Sequence, residues 1–152
     1  METSYGQFVR ARRQILGLTQ RELAERSGVK QPLIAAIERG RRAPSDSTRA
    51  ALDTSLAIRP STALAARRSQ VREILHGMGL PEPRVFGSVA RGDDDPSSDV
   101  DLLVAFSDKH DIVDLLDLQA ELEELLTVHV DVVDALANGA VVEHALAEAV
   151  AL

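Results

Sequence analysis

Two aspartates separated by a single residue, Asp99 and Asp101, form the pair of side chains whose spacing points most directly to chemistry. An apolar run begins at Leu102, so the pair opens a predicted strand. Alternate side chains of a strand project to the same face, which places these carboxylates about 6 to 7 Å apart along it. Magnesium prefers hard oxygen ligands and usually takes one or two protein carboxylates, leaving its other positions to water and nucleotide phosphates. The pair therefore predicts a divalent metal site suited to phosphoryl or nucleotidyl transfer.

A glycine-serine pair stands upstream of these aspartates, where Gly87 and Ser88 follow the apolar residues Val85 and Phe86. Because Gly87 has no side chain, the backbone can approach a phosphate, and backbone N–H groups and the Ser88 hydroxyl can donate hydrogen bonds to its oxygens. If residues 89–91 begin a helix, its positive N-terminal end faces the same anion. The two motifs together predict a metal ion held beside a phosphate.

The order of these motifs resembles the signature of the DNA-polymerase-beta-like nucleotidyltransferase superfamily. More narrowly, it resembles the minimal nucleotidyltransferases that act as antitoxins to HEPN-domain toxins. The resemblance covers about residues 62–152 and rests on Gly87-Ser88, Ala90-Arg91-Gly92 and Ser98-Asp99-Val100-Asp101-Leu102-Leu103-Val104. It implies an α/β domain that uses Mg²⁺ and ATP as substrate, in which Arg91 joins Gly87 and Ser88 in binding the nucleotide phosphates.

The same family needs a third carboxylate on a neighbouring strand. Residues 127–133 alternate and are rich in β-branched side chains, which predicts that strand. Asp131 is the preferred candidate, and Asp134, at the expected end of the strand, is the alternative. By resemblance, Asp131 completes the metal-binding and catalytic set with Asp99 and Asp101 and can help to deprotonate an incoming hydroxyl. If Asp131 is only a charge at a strand edge, that set is incomplete.

Charge divides the 152-residue chain into two halves. Residues 1–68 carry 13 Lys and Arg against 6 Asp and Glu, whereas residues 69–152 carry 4 against 18. We therefore predict two domains, residues 1–59 and 60–152, the first suited to a polyanion and the second to metal ions or a basic protein. The sequence has no cysteine, no signal-peptide pattern and no apolar run long enough to span a membrane, so we expect a soluble cytoplasmic protein without membrane contact.

The basic half has the pattern of a small helical bundle. Helices are predicted from about residue 5 to 16, from Thr19, from Gln31 to about residue 39, and from about residue 47 to 57. Thr19 and Glu22 form a capping box, and Gly28 provides a tight turn before the third helix. Two helices joined by such a turn form a helix-turn-helix, whose second helix enters the major groove of DNA.

This half resembles the lambda-repressor-like, or XRE, DNA-binding family over about residues 6–58, through Leu18-Thr19-Gln20-Arg21-Glu22-Leu23-Ala24, Ser27-Gly28-Val29 and Ile37-Glu38-Arg39-Gly40-Arg41-Arg42-Ala43-Pro44. The resemblance implies that bases are read from the start of the third helix, where Gln31 can bond adenine and Lys30 can reach guanine or a phosphate. Pro32, in the same segment, departs from the polar side chains common in the family, so we expect few specific contacts to bases. The remaining predicted contacts are to the DNA backbone, from Gln20, Arg39, Arg41 and Arg42.

The predicted architecture is thus an all-α helix-turn-helix bundle followed by an α/β minimal nucleotidyltransferase fold with a small mixed sheet. The leading hypothesis is an antitoxin that transfers AMP from ATP to a hydroxyl, expected to be a tyrosine, of a cognate HEPN toxin and binds its own operator DNA as a homodimer. The alternative is a transcriptional repressor and toxin-binding protein whose nucleotidyltransferase-like domain senses nucleotide without catalysis. Transfer to a small molecule is disfavoured, because about 90 residues leave little material for an acceptor pocket.

Overall fold

The computed structural model describes residues 4–152, so the first three residues of the predicted N-terminal domain lie outside the described part. The chain divides into two compact units after Ile58. The first unit contains four helices among its described residues: α1 (Tyr5–Ile15), α2 (Gln20–Ser27), α3 (Gln31–Glu38) and α4 (Asp46–Ser55). This all-helical unit confirms the fold class predicted for the basic half of the sequence.

Local signals set the ends of these helices. The Thr19 hydroxyl accepts the Glu22 backbone N–H while the Glu22 carboxylate accepts the Thr19 N–H, so the predicted capping box is present. Gly28 ends α2 in the left-handed region at φ 74°, which a glycine adopts without steric penalty. The capping box therefore sets the start of α2, and Gly28 sets the short turn between α2 and α3.

The core of the first unit is aliphatic. Its fully buried side chains come from every helix, and they include Val9, Leu23, Ile34, Leu52 and the residue that follows α4, Leu56. A Cβ added to Gly6 would overlap the carbonyl oxygen of Ile37, so α1 and α3 cross in close backbone contact at that point.

The second unit is a mixed α/β domain. Its elements are α5 (Pro60–Gly77), β1 (Arg84–Phe86), α6 (Gly87–Arg91), β2 (Val100–Val104), α7 (Ile112–Leu126), β3 (Val130–Asp134), α8 (Ala140–Glu148) and β4 (Val150–Ala151). The strands form one four-stranded sheet in the order β3-β2-β1-β4. β2 and β3 run parallel, whereas β1 is antiparallel to both β2 and β4, which confirms the predicted small mixed sheet.

Packing against the sheet explains the buried strands. Val100, Leu102 and Val104 of β2 are completely buried, as expected for the central strand next to the helices. The exposed edge of β3 is closed by side chains of α7, since the Glu123 and Gln119 side chains accept the backbone N–H groups of Val130 and Val132. Such coverage satisfies backbone donors that would otherwise template pairing with another strand.

Three local features of this unit differ from what the sequence pattern by itself indicates. Their helical spacing would place Ile112 and Leu116 on the apolar stripe of α7, but these side chains are 65% and 53% exposed, and the inward face starts at Leu118. Ser61 does not cap α5, because Pro60 already occupies the first helical position, where its missing N–H costs nothing. The last helix ends at Glu148 rather than near residue 151, and β4 follows it. Within residues 4–152, no helix is long and apolar enough to cross a membrane.

Candidate active site

The predicted carboxylates meet where β2 and β3 run side by side. Asp101 and Asp131 are register partners on the two parallel strands, and Asp99 lies one residue before β2 begins. Burial first, and then the negative charges of Asp131 and Asp99, together raise the pKa of Asp101 to about 6. The structure thus gathers these three side chains into one region of excess negative charge.

The chemistry of this donor set fits a hard divalent cation. Like charges held together near a buried carboxylate are relieved when a cation binds between them, and Mg²⁺ commonly takes only one or two protein carboxylates. In the described residues, however, no three or more His, Cys, Asp or Glu side chains are arranged to hold a metal ion by themselves. These residues therefore fit an open metal site, in which Asp99 and Asp101 would supply some ligands and water and phosphate the others. They do not fit a site formed by protein side chains alone.

Gly87 lies against the buried aspartate. Its φ of 71° is in the left-handed region, and a Cβ placed on it would overlap the carboxylate of Asp101. A residue with a side chain would be strained in this backbone conformation and would displace the Asp101 carboxylate. The predicted Gly-Ser turn is therefore part of the same site as the aspartates, and Ser88 lies half-buried in the first turn of α6.

A glutamate that sequence reasoning missed completes this arrangement. The Glu148 carboxylate accepts the Gly87 backbone N–H at 2.8 Å and the Arg91 Nη1–H at 3.2 Å. These hydrogen bonds, led by the one from Gly87, lower the pKa of Glu148. Arg91 also lies 3.4 Å from Asp93, so its guanidinium already contacts two carboxylates. No short-range motif marks Glu148, because it is 61 residues away from Gly87 along the chain.

The loop between α6 and β2 is fixed by a second unforeseen residue. Three consecutive aspartates, Asp93-Asp94-Asp95, are typical of a solvated loop, but the Asp94 side chain is fully buried in an ion pair of 2.8 Å with Arg59. Its other carboxylate oxygen accepts the Ser61 backbone N–H at 2.8 Å. Burial opposes the charged form of Asp94, but these donors outweigh it and hold its pKa below the ordinary value. The loop that leads to Asp99 is thereby tied to the start of α5.

The two candidates for the third carboxylate differ in what they contact. Asp134 Oδ1 accepts the backbone N–H groups of Phe106 and Leu136, at 3.3 and 3.0 Å, so this side chain closes the end of the strand. Asp131 is exposed and lies directly across from Asp101. Geometry therefore favours Asp131, as preferred from the sequence. The His129 side chain is 87% exposed, and its Nδ1 lies 3.5 Å from Glu123 Oε1.

In the helical unit, a chain of hydrogen bonds joins two of the predicted DNA contacts. The Gln31 amide donates to the Gln20 side-chain oxygen at 2.9 Å, and the Gln20 amide donates to Glu38 at 2.9 Å. Glu38 is nearly buried and receives two hydrogen bonds from Arg13. The amides at the starts of α2 and α3 are therefore held in fixed orientations.

The other predicted DNA contacts are placed as a surface group. Lys30 is the N-cap residue of α3, and Pro32 lies in the first turn of that helix. Exposed side chains in this group belong to Lys30, Pro32, Arg39, Arg41 and Arg42. None of the three arginines has an ion pair with another described residue, so their charges remain available to a polyanion.

Fold and site together define a chain in which a helix-turn-helix unit precedes a nucleotidyltransferase-type α/β unit. The chain belongs to the polymerase beta nucleotidyltransferase family: that family model matches residues 84–152. A second family model, described as helix-turn-helix, matches residues 9–57.

Known relatives match one unit or the other. Protein adenylyltransferase MntA of Thermococcus cleftensis is 39% identical over 70 residues, which make up 46% of this chain and 68% of that protein. An uncharacterized HTH-type transcriptional regulator of Methanothermobacter thermautotrophicus is 57% identical over 38 residues, or 25% of this chain and 55% of that one. A solved structure described as a minimal nucleotidyltransferase superposes with a TM-score of 0.54 at 41% identity, covering 60% of this chain and 95% of its own.

Proposed function

We propose that this protein is an antitoxin that transfers AMP from ATP to a hydroxyl, expected to be a tyrosine, of a cognate HEPN-domain toxin. The observation that carries the proposal is the meeting of Asp101, Asp131 and Asp99 beside the Gly87 turn. The adenylyltransferase name of a relative that matches this unit supports the transferred group. The acidic unit also complements the basic surface that an RNA-cleaving toxin needs for its substrate.

Each proposed role follows from the type and place of the side chain. Mg²⁺, held by Asp99 and Asp101 with Asp131 at the edge of the set, would supply the positive charge that stabilises the phosphates during transfer. Ser88 and the Gly87 turn orient the nucleotide, and Arg91 balances phosphate charge. Asp131, the most exposed of the three aspartates, accepts the proton of the incoming hydroxyl. The hydroxyl oxygen then bonds to the α-phosphorus, and the bond to pyrophosphate breaks.

The helical unit would bind the operator of the same operon. Gln31 and Lys30 read bases at the start of α3, next to Pro32, while the backbone contacts come from Gln20, Arg39, Arg41 and Arg42. The fixed Gln20–Gln31 amide pair supports this role, because a pre-oriented amide loses less conformational entropy on binding. A homodimer would match two half-sites one helical turn apart.

A transfer assay tests the enzymatic part. The protein is mixed with its toxin, Mg²⁺ and ATP labelled in the α-phosphate, beside the variants Asp99→Ala and Asp101→Ala and the matched control Asp108→Ala, an exposed aspartate outside the site. We expect label on the toxin with the unchanged protein and the control, and at least a hundredfold less with the two variants. Neutralisation of the toxin without label from any nucleotide would defeat the enzymatic part.

One observation favours the alternative of a repressor that binds its toxin and senses nucleotide without catalysis. Glu148 already occupies the Gly87 N–H and contacts Arg91, which are two of the predicted phosphate donors. If toxin neutralisation is retained in full by Asp99→Ala and Asp101→Ala, this alternative replaces the leading proposal.

A further inference from the structure

Glu148 bridges the two ends of α6 with a single carboxylate. One of its oxygens accepts a hydrogen bond from the N–H of Gly87, the first residue of that helix. The other accepts a hydrogen bond from the guanidinium of Arg91, the last residue of the helix. Its remaining described contact is His144 Nε2, 3.7 Å from Oε1. The Glu148 side chain is 20% exposed, so it is largely shielded from solvent where the end of α8 meets α6.

Sheet pairing explains why Glu148 reaches this place. β4 pairs antiparallel with β1 so that Val150 lies across from Val85. Continuing that register by two residues in each direction brings Glu148 opposite Gly87. The short strand β4, which the sequence did not predict, therefore sets the position of the glutamate.

The position of Gly87 matters because there is no free space between this residue and the Asp101 carboxylate. The absence of a Cβ is what lets the turn lie against Asp101, so a small shift of this turn would change the space around that aspartate. The Ser88 hydroxyl has no hydrogen-bond partner among the described residues, and Ser88 directly follows Gly87 in α6. A contact that holds the backbone of Gly87 in place therefore also constrains the position of Ser88.

We propose that Glu148 is a positioning residue for the nucleotidyl transfer, holding the Gly87-Ser88 turn against Asp101 and fixing Arg91 at the other end of α6. This inference rests on the proposed function. It assigns the Gly87 N–H to an internal partner, and leaves the Ser88 hydroxyl and the Arg91 charge to recognise the phosphates. It also gives α8 and β4 a role in the site, since α8 carries the glutamate and the pairing of β4 with β1 sets its position.

Binding of a non-hydrolysable ATP analogue with Mg²⁺, measured by calorimetry, tests the inference without requiring turnover. We expect Glu148→Ala to weaken binding about tenfold, because two hydrogen bonds that fix the turn are lost. Glu148→Gln should lose less, because its amide oxygen still accepts one of the two donors. The control Glu143→Ala removes an exposed glutamate from the same helix and should bind like the unchanged protein.

A double-mutant cycle separates positioning from general destabilisation. Because Glu148 acts partly through Arg91, the loss caused by Glu148→Ala should be smaller in an Arg91→Ala background, whereas a purely structural effect would be additive. The amide resonance of Gly87 should also shift in Glu148→Ala and largely recover in Glu148→Gln. If Glu148→Ala does not fold, nucleotide binding is measured with Glu148→Gln instead, and Glu143→Gln serves as its control.

The results that overturn the inference differ from those that overturn the proposed function. If the unchanged protein binds the analogue and Glu148→Ala binds it equally well, Glu148 does not position the site. Tighter binding by Glu148→Ala would mean that the glutamate competes with phosphate instead. If the unchanged protein binds no nucleotide at all, the proposed function fails and this inference fails with it.

Discussion

Replacing Gly87 by alanine separates backbone strain from steric conflict at the carboxylates, because the structure supplies a matched control. Gly92 has nearly the same left-handed backbone, with φ 79° against 71°, but a Cβ on Gly92 meets no atom within 4 Å. At Gly87 the same Cβ overlaps the Asp101 carboxylate. The two substitutions therefore share the strain and differ in the clash.

The expected magnitudes follow from these two contributions. The left-handed conformation costs an alanine about 1–2 kcal/mol, so Gly92→Ala should lower the free energy of unfolding by about that much. Gly87→Ala adds the cost of displacing a packed carboxylate, about 1–3 kcal/mol. Displacement by about 1 Å of a group that holds the metal and the nucleotide should reduce transfer about a hundredfold in Gly87→Ala only.

Urea unfolding and the labelled-ATP transfer assay measure the two effects. Because the chain has two units, unfolding is followed both by far-ultraviolet circular dichroism and by the fluorescence of the single tyrosine, Tyr5, which reports on the first unit. A second transition is fitted where it occurs. We expect Gly92→Ala to keep transfer within a few-fold of the unchanged protein. Equal stability and equal transfer in the two variants would refute the argument that Gly87 is required by its contact with Asp101.

Three further predictions concern buried charges. Asp94→Asn should destabilise the second unit by about 2 kcal/mol in urea unfolding, because the half-exposed Arg59 loses its partner, whereas the exposed control Asp108→Asn should change little. Because the folded pKa of Asp94 is depressed below the ordinary 3.8, its contribution is complete above that pH and should fade as the pH falls further; thermal melts of Asp94→Asn that keep the full acid sensitivity would contradict this. Glu38→Gln should cost the helical unit about 3 kcal/mol, since it leaves the largely buried Arg13 without an ionic partner, and an unchanged melting temperature would show that the pair is dispensable.

Local patterns in the sequence predicted most of what positions the site. The capping box at Thr19, the strand that follows Asp99 and the glycine at residue 87 depend on neighbours within a few residues, and such signals can be read directly. The pairing of Asp101 with Asp131 needed only the family resemblance and the alternation of β3. These are the parts in which local propensity and fold agree.

The missed features all depend on distant contacts. Asp94 looks like its neighbours Asp93 and Asp95 in the sequence, and only the approach of Arg59 makes it a buried ion-pair partner. Glu148 gains its contacts from the two-residue strand β4, which is too short to show any periodicity. The exposed start of α7 is the opposite case, since the sequence of an apolar residue such as Ile112 does not reveal whether another part of the protein covers it.

The most direct test of the central claim compares the two candidate aspartates of β3. The toxin is coexpressed with the unchanged protein, Asp131→Asn or Asp134→Asn, and its intact mass is measured. We predict an added mass of one or more AMP groups with the unchanged protein, loss of that mass with Asp131→Asn, and its retention with Asp134→Asn, whose side chain only closes the strand end. A full AMP adduct formed by Asp131→Asn would contradict the claim that carboxylates from β2 and β3 carry out the transfer together.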